Sequence, residues 1–176
     1  MPAYVALLRA INVGGTGKLP MTDLRTLCEK AGFDGVKTYI QTGNVVFASS
    51  LSEAKVKAKL EKALAAKMGK PTAAMIRTTA ELHDIGRRNP FPKAEGNRII
   101  VLFLDEAPPK GALASLAIPG REEVKLLGRE VFIHYPDGQG QSKLKIPFAK
   151  TGTGRNLNTV QKLRKMAEEL LSHTKV

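Results

Sequence analysis

The stretch VKTYIQTGNVVFA, residues 36–48, decides how the rest of this chain is read. Residues 36–41 and 45–48 are short runs rich in β-branched and aromatic side chains. Thr42, Gly43 and Asn44 stand between them, and Gly and Asn are the residues that tight hairpin turns need. A hairpin in mid-chain argues for an antiparallel sheet. Before it, residues 4–13 read as a strand, followed by a glycine loop. A helix then carries Leu24, Leu27, Cys28 and Ala31 at i, i+3, i+4 and i+7. After it, Ser50 and Glu53 have capping-box spacing for a second helix with Val56, Leu60, Ala63, Leu64 and Met68 on its apolar face. Residues 72–77 read as a further strand. Thr78 and Glu81 open a short helix that ends by Gly86 and Asn89-Pro90.

The second half repeats that order. Residues 98–104 read as a strand and 110–117 as a helix behind Pro108-Pro109. Residues 123–127 and 130–135 read as a hairpin across Gly128-Arg129. A helical segment is expected near 142–150, disturbed by Pro147. The last helix, about 159–172, buries Val160, Leu163, Ala167, Leu170 and Leu171. The expectation is therefore an α+β protein of two ferredoxin-like repeats, strand–helix–hairpin–helix, with mostly antiparallel sheets. The first repeat spans 1–88, residues 89–97 form a link, and 98–176 form the second repeat with the C-terminal helix. A link that short leads one to expect the repeats to pack together.

Length and composition bound the function. The 176 residues are 43% hydrophobic and 25% charged, as in an ordinary globular protein. No apolar run approaches a membrane span. The first residues lack the basic region of a signal peptide, and Arg9 interrupts their apolar part. One cysteine excludes an internal disulfide, so a cytoplasmic protein is expected, and it is read as a monomer. The net charge of +12 suits a polyanion such as nucleic acid. Aromatics are only 5% and tryptophan is absent, which limits base stacking.

No catalytic or metal signature stands out. The loop around Gly14, Gly15 and Gly17 follows a strand and precedes a helix, as phosphate loops do. However, it has Asn12 and Leu19 where a P-loop needs glycine and a hydroxyl residue. His83, His134 and His173 are far apart, and Cys28 lies on an apolar helix face. No cofactor is expected. The polar positions that could hold an anion are Arg9, Asn12, Lys18, Gln41, Asn44, Arg155, Asn156 and Asn158. Alternation puts Arg9 on one strand face with Val5, Leu7 and Ile11. Either Asn156 or Asn158 can cap the last helix, Asn158 with capping-box spacing to Gln161. Lys55, Lys57, Lys59, Lys62, Lys67 and Lys70 make the second helix basic.

The motifs LLRAINVGG (7–15), YIQTGNVVF (39–47), NPFP (89–92), SKLK (142–145) and RNLNTVQKL (155–163) together resemble the bacterial family called domain of unknown function 1697. The resemblance runs nearly end to end. It implies two related α+β subdomains, assigns no activity, and emphasises Arg9, Asn12, Gly14, Gly15, Gln41, Gly43, Asn44, Arg155, Asn156 and Asn158. This chain departs from the pattern at Ala10 (usually Gly), Thr42 (usually Ser) and Leu157 (usually Trp). It is also shorter between Ser142 and Arg155. Two readings result. One is a non-catalytic module for nucleic acid or another phosphate-bearing polyanion. The other is an enzyme or sensor for a phosphorylated or carboxylated small molecule held between the repeats.

Overall fold

A computed structural model describes residues 1–12 and 17–174. Among them lie two four-stranded antiparallel sheets with helices, an α+β fold. Two compact units divide the chain: Met1–His83 with Lys162–Val176, and Asp84–Gln161. The segment 89–97 thus belongs to the second unit, and the later turns of the last helix belong to the first.

The first unit has the sheet order β2-β3-β1-β4, formed by β1 (Ala3–Leu8), β2 (Asp34–Tyr39), β3 (Asn44–Ala48) and β4 (Ala74–Thr78). β2 and β3 make the expected hairpin, with Tyr39 opposite Asn44. The core side of this sheet meets α1 (Met21–Lys30) and α2 (Glu53–Met68). There Leu24 and Cys28 of α1, and Val56, Leu60 and Leu64 of α2, bury against Tyr4, Phe47 and Ile76. Phe33 stacks on Phe47 with ring centres 4.2 Å apart. The α2 cap is Ser52, whose hydroxyl accepts from the Lys55 amide, not Ser50. Gly69 ends the helix with φ 73°. α3 (Thr79–Arg87) opens on a reciprocal capping box. Glu81 accepts from the Thr78 amide at 3.0 Å, and Thr78 Oγ1 accepts from the Glu81 amide at 3.2 Å.

The second unit has the order β6-β7-β5-β8, the same arrangement, formed by β5 (Ile99–Phe103), β6 (Glu123–Leu127), β7 (Glu130–His134) and β8 (Thr153–Asn156). Here the expected helices fail. Residues 110–115 form turns and no helix follows, because Gly111 sits at φ 85° and no side chain in 110–117 is buried. A helix that short has no stability without a buried face. Residues 142–150 do not form an α-helix either. Leu144, Ile146 and Phe148 pack on the core while Lys143, Lys145 and Pro147 stay exposed. That is a period of two, an extended segment closed by a 3-10 turn at Pro147–Thr151.

A strand was also missed. Residues 153–156, expected to lead into a helix as loop, pair with β5 as the edge strand β8. α4 (Leu157–Thr174) follows directly.

Candidate functional site

Five of the eight polar positions gather at one end of the first sheet. β1 stops at Leu8, earlier than alternation implied, and Arg9 lies beyond it. The chain is held there by Leu8 donating to Gly43 O at 2.8 Å and Arg9 donating to Ala73 O at 2.9 Å. It then turns sharply, with Ala10 and Asn12 both at φ 54°. So Arg9 does not share an alternating strand face with Val5 and Ile11. Ile40, in the hairpin, has φ 48° and is exposed. Three non-glycine residues with left-handed backbones within one sheet end is unusual, and a β-branched one is a true outlier.

Asn12 is what joins the pieces. Its Nδ2 donates to Gln41 O and to Leu19 O, both at 2.9 Å, and its Oδ1 accepts from the Leu19 amide at 2.7 Å. One side chain therefore ties the loop after β1 to the β2–β3 hairpin. Asn44, fully buried, donates to Tyr39 O at 3.0 Å and to Thr42 Oγ1 at 2.8 Å, and so shapes the hairpin itself. Gly43, at φ 87°, has no room for a Cβ, which would meet Ile11 Cδ1 at 2.6 Å. Lys18, Gln41 and Thr42 are exposed at this end, and so are Ala10, Asn12 and Ile40. Asn44 is thus a buried builder, Asn12 a builder that also meets solvent, and Lys18 and Gln41 are presented to solvent. Gly14 and Gly15, which the family pattern emphasises, lie outside the described residues.

The other three positions belong to the second unit. Arg155 is on β8, opposite Val101, and only 8% exposed. Its guanidinium donates to Thr153 Oγ1 at 2.6 Å and to Gly154 O at 2.9 Å. Burial lowers its pKa to about 10. Asn156 is the cap of α4, accepting from the Thr159 amide at 2.9 Å. Asn158 does not cap. It is the second residue of the helix, and its side chain lies where a Cβ on Gly96 would stand. The SKLK motif has a structural role as well: Ser142 Oγ donates to Glu122 at 2.7 Å and accepts from the Leu144 amide at 3.1 Å.

Sequence reasoning missed a counterpart of Arg155. Arg77 is the same position of the first sheet, fully buried on β4 opposite Val5, with its Nη1 donating to Ile76 O at 2.9 Å. Two arginines one residue before a helix cap are visible in the sequence once β8 is recognised as a strand. The aromatics offer no stacking platform. Tyr4, Phe47, Phe103, Phe132 and Tyr135 are all buried, and Tyr39 and Phe148 are part-exposed. Among the described residues no three His, Cys, Asp or Glu side chains form a metal-ligand group, and no helix is long and apolar enough to cross a membrane.

The family described as Protein of unknown function (DUF1697) matches residues 1–132. The chain belongs to that family. DUF1697 therefore covers the whole first sheet, its strained end and most of the second sheet, and stops before β8. Among solved structures, the conserved bacterial protein SP0830 from Streptococcus pneumoniae is similar over its whole fold. It has 26% identity and a TM-score of 0.80, and the match covers 94% of this chain and 98% of that one. No curated protein matches.

Proposed function

We propose that this DUF1697 protein is a non-catalytic module for a phosphate-bearing polyanion, with nucleic acid the leading ligand. The observation that carries the reading is the strained end of the first sheet. Ala10, Asn12 and Ile40 hold left-handed backbones there beside the exposed Lys18, Gln41 and Thr42. Each such backbone costs on the order of 1–3 kcal/mol, and strain of this kind collects where a site must be held in shape. The net charge of +12 draws anions toward the surface. Lysine, amide and hydroxyl groups are the usual donors to phosphate and sugar oxygens. With most of the aromatics buried, contacts to phosphate rather than to bases fit best. A cytoplasmic location agrees with this reading, and the common strand order of the two sheets agrees with an internal duplication.

The second reading is an enzyme or sensor for a phosphorylated or carboxylated small molecule. The exposed amide of Gln41, on a loop that Asn12 holds in place, favours it, since a neutral donor orients a ligand better than it neutralises a polymer.

The test is fluorescence anisotropy with labelled single-stranded RNA and duplex DNA at two salt concentrations. The expected result is micromolar binding that weakens steeply with salt. The double variant Lys18→Glu, Gln41→Ala should weaken binding without lowering the melting temperature. Unchanged binding in that variant removes the sheet end from the interface. No binding of either nucleic acid at the lower salt leaves the small-molecule reading, to be followed by a thermal-shift screen of phosphorylated metabolites.

A further inference from the structure

The outer side of the helical layer of the first unit carries a groove of about 670 Å³, unrelated to the sheet end. Asp23, Thr26, Leu27, Lys30 and Ala31 of α1 and its cap form one wall. The other wall comes from α2, with Lys59, Lys62, Ala63, Ala66 and Lys67. Both walls follow one spacing, i, i+3, i+4, i+7 and i+8, so each helix gives the groove a single continuous stripe. The start of α1 faces the end of α2, where Lys67 pairs with Asp23 at 3.4 Å. The stripes run for about 12 Å, some two turns.

The chemistry of the groove is divided. Leu27, Ala31, Ala63 and Ala66 give it an apolar floor, and lysines stand along both edges. Of those lysines, Lys30, Lys59 and Lys62 pair with no carboxylate among the described residues. Lys57, by contrast, faces away and is occupied by Glu61 at 2.9 Å and Ala74 O at 2.6 Å.

We infer that this groove docks an acidic amphipathic helix of a partner protein. A helix laid between two others places its apolar stripe on the floor, and acidic residues flanking that stripe reach the lysines on both sides. The occupant is chosen by charge complementarity: three unpaired ammonium groups surround apolar surface. A phosphate backbone would satisfy the lysines but leave the apolar floor covered by nothing it can bury. A neutral helix would bury the floor and leave the lysines uncompensated. Only an acidic amphipathic segment answers both.

The experiment titrates the whole protein into a fluorescein-labelled acidic helical peptide, with leucines at i, i+3, i+4 and i+7 flanked by glutamates. A reordered peptide of the same composition, with no apolar face, and a single-stranded RNA of the same net charge are run beside it. The ordered peptide should bind at least about tenfold more tightly than the reordered one. Ala66→Glu, at an exposed helical position, and the pair Lys59→Glu, Lys62→Glu should each weaken it at least about tenfold, and both should leave RNA binding at the sheet end in place. Amide shift changes on the unaltered protein should map to Leu27, Ala31, Ala63 and Ala66, which keeps the test decisive if a variant unfolds. Equal binding of the two peptides would overturn the inference, as would RNA competing the peptide away or shift changes elsewhere. Variants that lost RNA binding and kept the peptide would also overturn it, whereas failure of the unaltered protein to bind RNA would count against the sheet-end site alone.

Discussion

Arg77 and Arg155 hold the same place in two different sheets. Each lies on the strand beside the central one, opposite a valine, and each donates to the carbonyl of the residue before it. Each is followed by the residue that caps the next helix, Thr78 in one sheet and Asn156 in the other. Their surroundings differ. Arg77 is fully enclosed, with Glu81 of the following helix 4.0 Å away, whereas Arg155 leans on the hydroxyl of Thr153. The lesson is that a buried arginine at this junction bonds first to its own strand, and Arg77 also has a carboxylate of the following helix within reach. The cover of the sheets differs more. Two helices cover the core side of the first sheet, and an extended segment with Leu144, Ile146 and Phe148 packs on the second. The same strand order therefore tolerates unlike covers, because pairing is set by the hairpins and the covers need only bury apolar area.

The sharpest way to break the arginine comparison is to delete both. Arg77→Ala should cost about 4 kcal/mol, since it strips a fully buried charge from its partners, and Arg155→Ala about 2 kcal/mol, both read by urea denaturation. If Arg155→Ala kept full stability and lost anion binding, Arg155 would be a ligand contact and not a brace. The covers come next. Leu60→Ala, in the helical cover, should cost about 3 kcal/mol. Ile146→Ala, in the half-exposed cover, should cost about 1 kcal/mol. Equal losses would mean that the extended segment holds its sheet as firmly as the helices hold theirs.

The two hairpin glycines sharpen the comparison further. Gly43→Ala should cost about 2 kcal/mol, from the left-handed backbone and the clash with Ile11 and Leu8 together. Gly128→Ala has the backbone strain alone, since its nearest foreign atom is Glu130 Oε2 at 3.6 Å, and should cost about 1 kcal/mol. Cys28 belongs to the first unit, and burial pushes its thiol from 9.0 up to about 12. The folded state keeps that proton where the unfolded state loses it. Stability should therefore fall as pH rises between 9.0 and about 12, by up to about 1.4 kcal/mol per pH unit. Cys28→Ala should remove that part of the slope, measured by urea titrations across the range. The smallest effects are the caps. Ser52→Ala and Asn156→Ala should each cost about 1 kcal/mol, and a much larger loss at Asn156 would show that β8 depends on its cap.

Much of this architecture is legible in the residues. The two hairpins, α1, α2 and α4, and the Thr78–Glu81 capping box all carry local signals, because turn glycines, apolar periodicity and capping pairs act over a few positions. The misreadings have local causes too. Residues 143–148 alternate with period two, and the helical reading overlooked it. Gly111 and an absence of buried side chains undo the helix expected at 110–117. β8 escapes because Thr153-Gly154-Arg155-Asn156 has almost no β-forming side chains, and only its partner β5 makes it a strand. The site divides in the same way. That Arg9, Asn12, Gln41 and Asn44 are candidates is legible in two motifs about thirty positions apart. That Asn12 is the clasp, that Ile40 is strained, that Arg155 is buried and that Lys30 joins α2's lysines around one groove required the folded chain. What the sequence determined by itself is class, strand count in the hairpins, charge and family, since these rest on composition and short-range pattern. What only the tertiary structure decided is which polar groups are buried and which face water, because burial comes from partners distant in the chain, and burial is what separates a brace from a binding group.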